Sequence, residues 1–135
     1  MREYKILWID DDVNYPELRQ EREALEERGC VITCVTNPDD IDYNNITPFD
    51  CIIIDLLMPT GKNLSCPETK FGTRTGLAII KKIKEKSSYA KTIIYSAFDS
   101  NTTKKYCDCH NIPYWSKPDF LADDFADAVI DMINN

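Results

Sequence analysis

The chain has 135 residues, a net charge of −7, and apolar and charged fractions of 43% and 29%. That length suits a single domain spanning 1–135 with a real hydrophobic core. The acidic balance excludes a nucleic-acid surface, which needs a basic face, and also docking on anionic membranes. The only early apolar run, Ile6 to Ile9, is too short for a signal-peptide core or a bilayer span, so the default location is the cytoplasm.

Residues 5–9 read as strand one: four large apolar side chains in a row fit a strand covered on both faces. The run ends in Asp10-Asp11-Asp12. Three adjacent acids cannot be buried unpaired, so the chain leaves the core at Asp10. A strand's carboxyl end is where open α/β sheets bind ligands. A hard cation such as Mg²⁺ relieves the repulsion among the acids through oxygen ligands. Taken alone, the triplet fits a polar loop equally well.

A helix is expected at roughly 15–28, with Pro16 in its first turn and Gly29 as its stop. Residues 30–35 are β-branched and read as strand two. Asn37-Pro38 opens a short second helix at about 38–45. Cys51-Ile52-Ile53-Ile54-Asp55 is a second apolar run ending in an acid, which repeats the logic of the first. Residues 59–75 are rich in Pro and Gly and form a loop longer than ordinary connections need. The next helix starts near Thr75, with Gly76, Ile79, Ile80 and Ile83 on one stripe. Strand four is Thr92-Ile93-Ile94-Tyr95, ending at Ser96, and a polar helix follows at 99–109. Pro113-Tyr114-Trp115-Ser116 is a short fifth strand ending at Lys117-Pro118, and a last helix covers about 119–133.

The alternation predicts a flavodoxin-like (βα)5 fold: a doubly wound parallel sheet with helices on both faces. A strand order of 2-1-3-4-5 sets strands one and three side by side at the switch point. Asp10, Asp11 and Asp55 then converge, and Ser96 and Lys117 face the same rim. Several carboxylates with a hydroxyl and a lysine, and no catalytic His or Cys, suit phosphoryl transfer. Mg²⁺ would neutralise the acids, lysine would add a point charge, and a carboxylate can be the nucleophile. Singly, each residue has a structural reading: Lys117 pairs an Asp, and Ser96 ends a strand. Jointly, each position closes an apolar strand on the ligand-binding edge.

Ile6-Leu7-Trp8-Ile9-Asp10-Asp11-Asp12, Asp55-Leu56-Leu57-Met58-Pro59, Ile93-Ile94-Tyr95-Ser96-Ala97 and Tyr114-Trp115-Ser116-Lys117-Pro118 together resemble the receiver domain of two-component response regulators. The resemblance covers essentially the whole chain. It implies that Asp55 is the phospho-acceptor. It implies that Asp10 and Asp11 hold Mg²⁺ together with Asp55 and the backbone carbonyl of Leu57, while Asp12 flanks them. It further implies that Ser96 is the switch hydroxyl, Lys117 the phosphate-pairing lysine and Tyr114 the aromatic switch residue, and that Pro118 follows a cis peptide. The implied donor is a phosphohistidine on a sensor histidine kinase or phosphotransfer protein. Homodimerisation on activation is a further implication, and no output partner is indicated.

The chain departs from that family in three places. The loop after Pro59 is long and carries Lys62, Lys70 and Arg74, which fits both a docking loop and a tolerated surface insertion. Gly76 matches the family's glycine, but Thr75 stands where an Asp is usual. Leu57 and Phe98 match positions that in that family border the attacking water, and both are apolar here, which implies slow loss of phosphate. Cys30, Cys34, Cys51, Cys66, Cys107 and Cys109 read as reduced thiols. Cys107, Cys109 and His110 make only a faint metal pattern, without a second ligand pair. Nothing after the last helix suggests an output domain, which fits both a stand-alone receiver and a piece of a longer protein. The competing functions are an interaction module that no longer takes phosphate and, more weakly, a hydrolase built on the acid cluster.

Overall fold

The computed structural model describes residues 3–12, 16–64, 74–117 and 121–135. Among these residues, five strands form one parallel sheet: β1 (Tyr4–Ile9), β2 (Cys30–Val35), β3 (Cys51–Ile54), β4 (Thr92–Ser96) and β5 (Tyr114–Ser116). Their order is β2-β1-β3-β4-β5, as expected for the flavodoxin-like fold. Among the described residues, four α-helices accompany the sheet: α1 (Arg19–Glu27), α2 (Thr75–Lys86), α3 (Asn101–His110) and α4 (Ala122–Asn134). The expected span at 118–120 and the positions of Tyr15, Cys66 and Lys70 lie outside the described residues.

Side chains alternate across the strands and sort the core into two layers. Leu7, Ile9, Ile52, Ile54 and Ile94 face one side, where they pack with Leu77, Ile80 and Ile83 of α2 and Cys107 of α3. Ile6, Trp8, Ile53, Ile93 and Tyr95 face the other, against Leu25 of α1 and Phe125 and Val129 of α4. Trp8, Tyr95 and Phe125 form an aromatic knot there, with Tyr95 stacked on Phe125 at 4.5 Å. Arg28, after α1, bridges to Asp127 of α4 at 2.9 Å and donates to the Ala24 carbonyl at 2.8 Å.

The sequence expectation fails at the second crossover. Between β2 and β3 there is no α-helix at 38–45, only two short 3₁₀ turns, Pro38–Asp40 and Tyr43–Asn45. The cause is local. Asn37 caps the first turn by accepting from the Asp39 N–H, and Asp42 caps a second by accepting from the Asn44 N–H. Asp and Asn side chains compete with the helical ladder for backbone groups, so a second cap inside the segment restarts it. At the N-terminal side the expected helix is also split: a 3₁₀ turn, Pro16–Leu18, precedes α1.

Candidate functional site

The last rung of each strand ladder places one site residue. The Asp10 N–H donates to the Val35 carbonyl of β2 at 3.0 Å, and the Asp55 N–H donates to Ile9 of β1 at 2.9 Å. The Lys117 N–H donates to Ser96 of β4 at 3.0 Å. Register Ile9↔Ile54 sets the ends of β1 and β3 level, and Ser96↔Ser116 does the same for β4 and β5. The acids, the hydroxyl and the lysine therefore share one rim, as the sequence implied.

Asp10, Asp11 and Asp55 each offer a carboxylate oxygen within 4.8 Å of the others, and they are the only such metal-capable cluster among the described residues. Asp10 is fully buried, and both of its oxygens are engaged. Oδ1 accepts the Asp12 N–H at 2.8 Å, and Oδ2 accepts from Lys117 Nζ at 2.6 Å. The same ammonium is 3.9 Å from Asp55 Oδ2 and 5.5 Å over the ring of Tyr95. Lys117 thus pairs Asp10 and leans toward Asp55. Asp55, 6% exposed, has its carboxyl pushed up to about 6, first by burial and then by the charge of Asp10; Lys117 and the Ser96 hydroxyl pull the other way. Burial and the neighbouring Asp12 and Asp10 charges raise Asp11 as well. One lysine faces three acids, so the pocket holds excess negative charge that a cation would relieve.

Ser96 is 1% exposed. Its hydroxyl donates to the Asp55 carboxylate, and its Oγ accepts the Phe98 N–H at 3.1 Å. Tyr114 grips the other side of the same residue, its hydroxyl donating to the Phe98 carbonyl at 2.6 Å. The two sequence-predicted switch residues thus hold Phe98 by its N–H and its C=O. Leu57, two residues after Asp55, is 47% exposed, and Phe98 is partly buried against the core.

Three residues that sequence reading did not place as supports shape the site. Gly76 starts α2 directly against the Asp55 backbone; its N–H donates to the Leu56 carbonyl at 3.1 Å, and an added Cβ would lie 2.3 Å from the Asp55 carbonyl oxygen. Thr75 is buried and donates from Oγ1 to the Met58 carbonyl at 2.6 Å, which closes the two ends of the insertion on each other. Asp39, after β2, accepts the Lys62 N–H at 2.8 Å and the Asn63 N–H at 2.9 Å, and these bonds hold its carboxyl below the usual range. Leu64 is buried with Ile41 and Ile46. The first part of the insertion, 60–64, is therefore docked. Only the long-range approach of Asp39 to Lys62 could have revealed this, and no local spacing signals it. Asp39→Ala is expected to speed amide hydrogen exchange at Lys62 and Asn63 while leaving β1 and β3 unchanged; equal protection in the variant would mean the clamp is idle.

Among the described residues, Cys107, Cys109 and His110 do not bring their ligand atoms together in one cluster. Cys107 is fully buried in the core, whereas Cys109 and His110 are exposed on α3. His110 Nδ1 instead lies 2.8 Å from the Tyr106 carbonyl, and the two rings stack at 4.1 Å.

No protein-family model matches the sequence, and no curated protein is significantly similar to it. Solved structures are similar throughout its length. A CheY-like response regulator receiver domain from Methanospirillum hungatei is 16% identical, with a TM-score of 0.75 over 98% of this chain and 95% of that one. A response regulator receiver domain from Clostridium thermocellum is 24% identical, with a TM-score of 0.73 over 97% and 94%. A chain of a CheX–CheY–BeF₃–Mg²⁺ complex from Borrelia burgdorferi is 20% identical, with a TM-score of 0.67 over 96% and 86%. The chain has the fold of response regulator receiver domains. Among the described residues, no helix is long and apolar enough to cross a membrane.

Proposed function

We propose that the chain, as one domain over 1–135, is a phospho-acceptor switch of a two-component phosphorelay. The observation that carries this reading is the convergence of Asp10, Asp11 and Asp55 within 4.8 Å, beside Lys117 and buried Ser96, on the rim of a receiver fold. A Mg²⁺-dependent phosphoryl transfer needs those parts together. The donor set fits Mg²⁺, since it is all hard oxygen: the three carboxylates, to which the receiver-domain resemblance adds the Leu57 carbonyl. When bound, the ion offsets the charge of the carboxylates and of the phosphoryl oxygens.

The chain's own residues do the rest. A carboxylate oxygen of Asp55 forms the P–O bond as the P–N bond to a donor phosphohistidine breaks, and the electron pair leaves with the imidazole. The donor sits on a sensor histidine kinase or phosphotransfer protein. The chain catalyses only this transfer and its reversal by water. Phosphorylation brings about −1.5 to −2 charges and strong acceptor oxygens to Asp55. Lys117, already 3.9 Å from Asp55, meets that charge by giving up part of its bond to Asp10. Ser96 turns its hydroxyl to the phosphoryl group and releases the Phe98 N–H. Tyr114 holds the Phe98 carbonyl, so the change reaches the loop before α3 and the β5 edge, where an output partner or a second copy would read it.

Leu57 and Phe98 cannot orient an attacking water, so the aspartyl phosphate is expected to persist for minutes or longer in Mg²⁺ buffer. Following loss of the phosphate-sized mass with time checks this; decay within seconds would contradict it.

A further inference from the structure

The crossover between β2 and β3 covers less of the sheet than this architecture asks. A parallel crossover ordinarily carries a helix that packs on the sheet. Here residues 36–50 supply only the turns Pro38–Asp40 and Tyr43–Asn45. The sheet is left partly open on that face. Val31 is 49% exposed, and a groove of about 300 Å³ opens onto Leu7 and Val35 between Ile41 and Phe49. Asp40 and Asp42 line the same groove, and both are exposed. Among the described residues neither has a cationic partner. An apolar floor with an uncompensated acidic rim is an unfinished surface.

We propose that this groove docks a cationic amphipathic helix of a protein partner, which takes the place of the missing crossover helix. Apolar side chains one turn apart fill the space over Leu7 and Val35, and Lys or Arg side chains on the flank meet Asp40 and Asp42. Charge selects this occupant over a second copy. A two-fold pairing through this face would bring the same acids together, on chains that each carry −7. An anionic lipid surface is disfavoured for the same reason.

The test uses the whole chain and two synthetic helical peptides, one of leucine and lysine and one of leucine and glutamate with the same pattern. Amide NMR signals are followed during titration. The lysine peptide is expected to shift Leu7, Val35, Ile41 and Phe49, and the glutamate peptide to shift none. Asp40→Lys, at an exposed position, is expected to weaken binding roughly fivefold or more. Asp124→Lys makes the same charge change on exposed α4 and is expected to leave affinity unchanged. Equal weakening by both variants would reduce the binding to general attraction and overturn the proposal. So would shifts centred on α1 and α4, or a concentration-dependent dimer that shifts the groove signals without peptide.

Discussion

Asp55→Asn is expected to stabilise the protein at neutral pH when no divalent cation is present. Burial and the charge of Asp10 push the Asp55 carboxyl from 3.8 to about 6, so the fold prefers it protonated. The sign follows. This preference helps the folded state fully below 3.8, and the help is lost as pH rises through about 6. Above that, the buried carboxylate works against folding. At about 1.4 kcal/mol per pH unit, the effect is on the order of 3 kcal/mol. Asparagine keeps the shape and removes the charge, and it leaves Lys117 with Asp10. Urea unfolding in the presence of a chelator, at neutral pH and near pH 4, measures this. The variant's advantage should be present at neutral pH and nearly vanish near pH 4. Added Mg²⁺ should narrow the gap by stabilising the natural protein more, since an ion that binds only the folded state adds to stability. An unchanged or lower midpoint for the variant at neutral pH would mean that Asp55 is not held against its charge.

Gly76→Ala carries the second large effect, and its sign is a contest. Alanine is the better helix former, by at most about 1 kcal/mol. Against that, the new methyl would lie 2.3 Å from the Asp55 carbonyl oxygen and 2.8 Å from the Leu56 Cα, both backbone atoms that cannot swing aside. Overpacking of this kind costs about 3 kcal/mol. The clash wins, and a net loss of about 2 kcal/mol is expected in urea unfolding. The only relief is to push α2 away from the end of β3, which displaces Asp55. The stabilisation gained from Mg²⁺ should therefore also fall. A variant as stable as the natural protein would show that α2 does not press on the site.

How much of this could be read in the residues depended on distance along the chain. The strands were legible because the continuous apolar runs at 6–9, 51–54 and 93–95 permit little else inside a two-faced sheet. The convergence of Asp10, Asp11, Asp55, Ser96 and Lys117 followed from the strand order alone. The second crossover was misread because Asn37-Pro38 is a sound helix start, while Asp42 acts as a cap that stops what Asn37 begins. The resting partner of Lys117 was not legible. If Asp55 is assumed to be that partner, phosphorylation simply exchanges its ligand; in fact Asp10 lies at 2.6 Å and Asp55 at 3.9 Å. Sequence cannot rank two carboxylates that meet in one pocket. Gly76 was recognised by its place in a motif, but its reason is a backbone contact with Asp55, which only folding creates. The grip of Ser96 and Tyr114 on either side of Phe98 also appeared only in three dimensions.

The most direct test is the intact mass of the protein after incubation with a small-molecule phosphodonor and Mg²⁺. The expected result is gain of one phosphate, lost when Asp55 is replaced by asparagine and lost when the metal is chelated. No gain with any donor, or a gain that survives Asp55→Asn, would contradict the assignment of this pocket as a phospho-acceptor site.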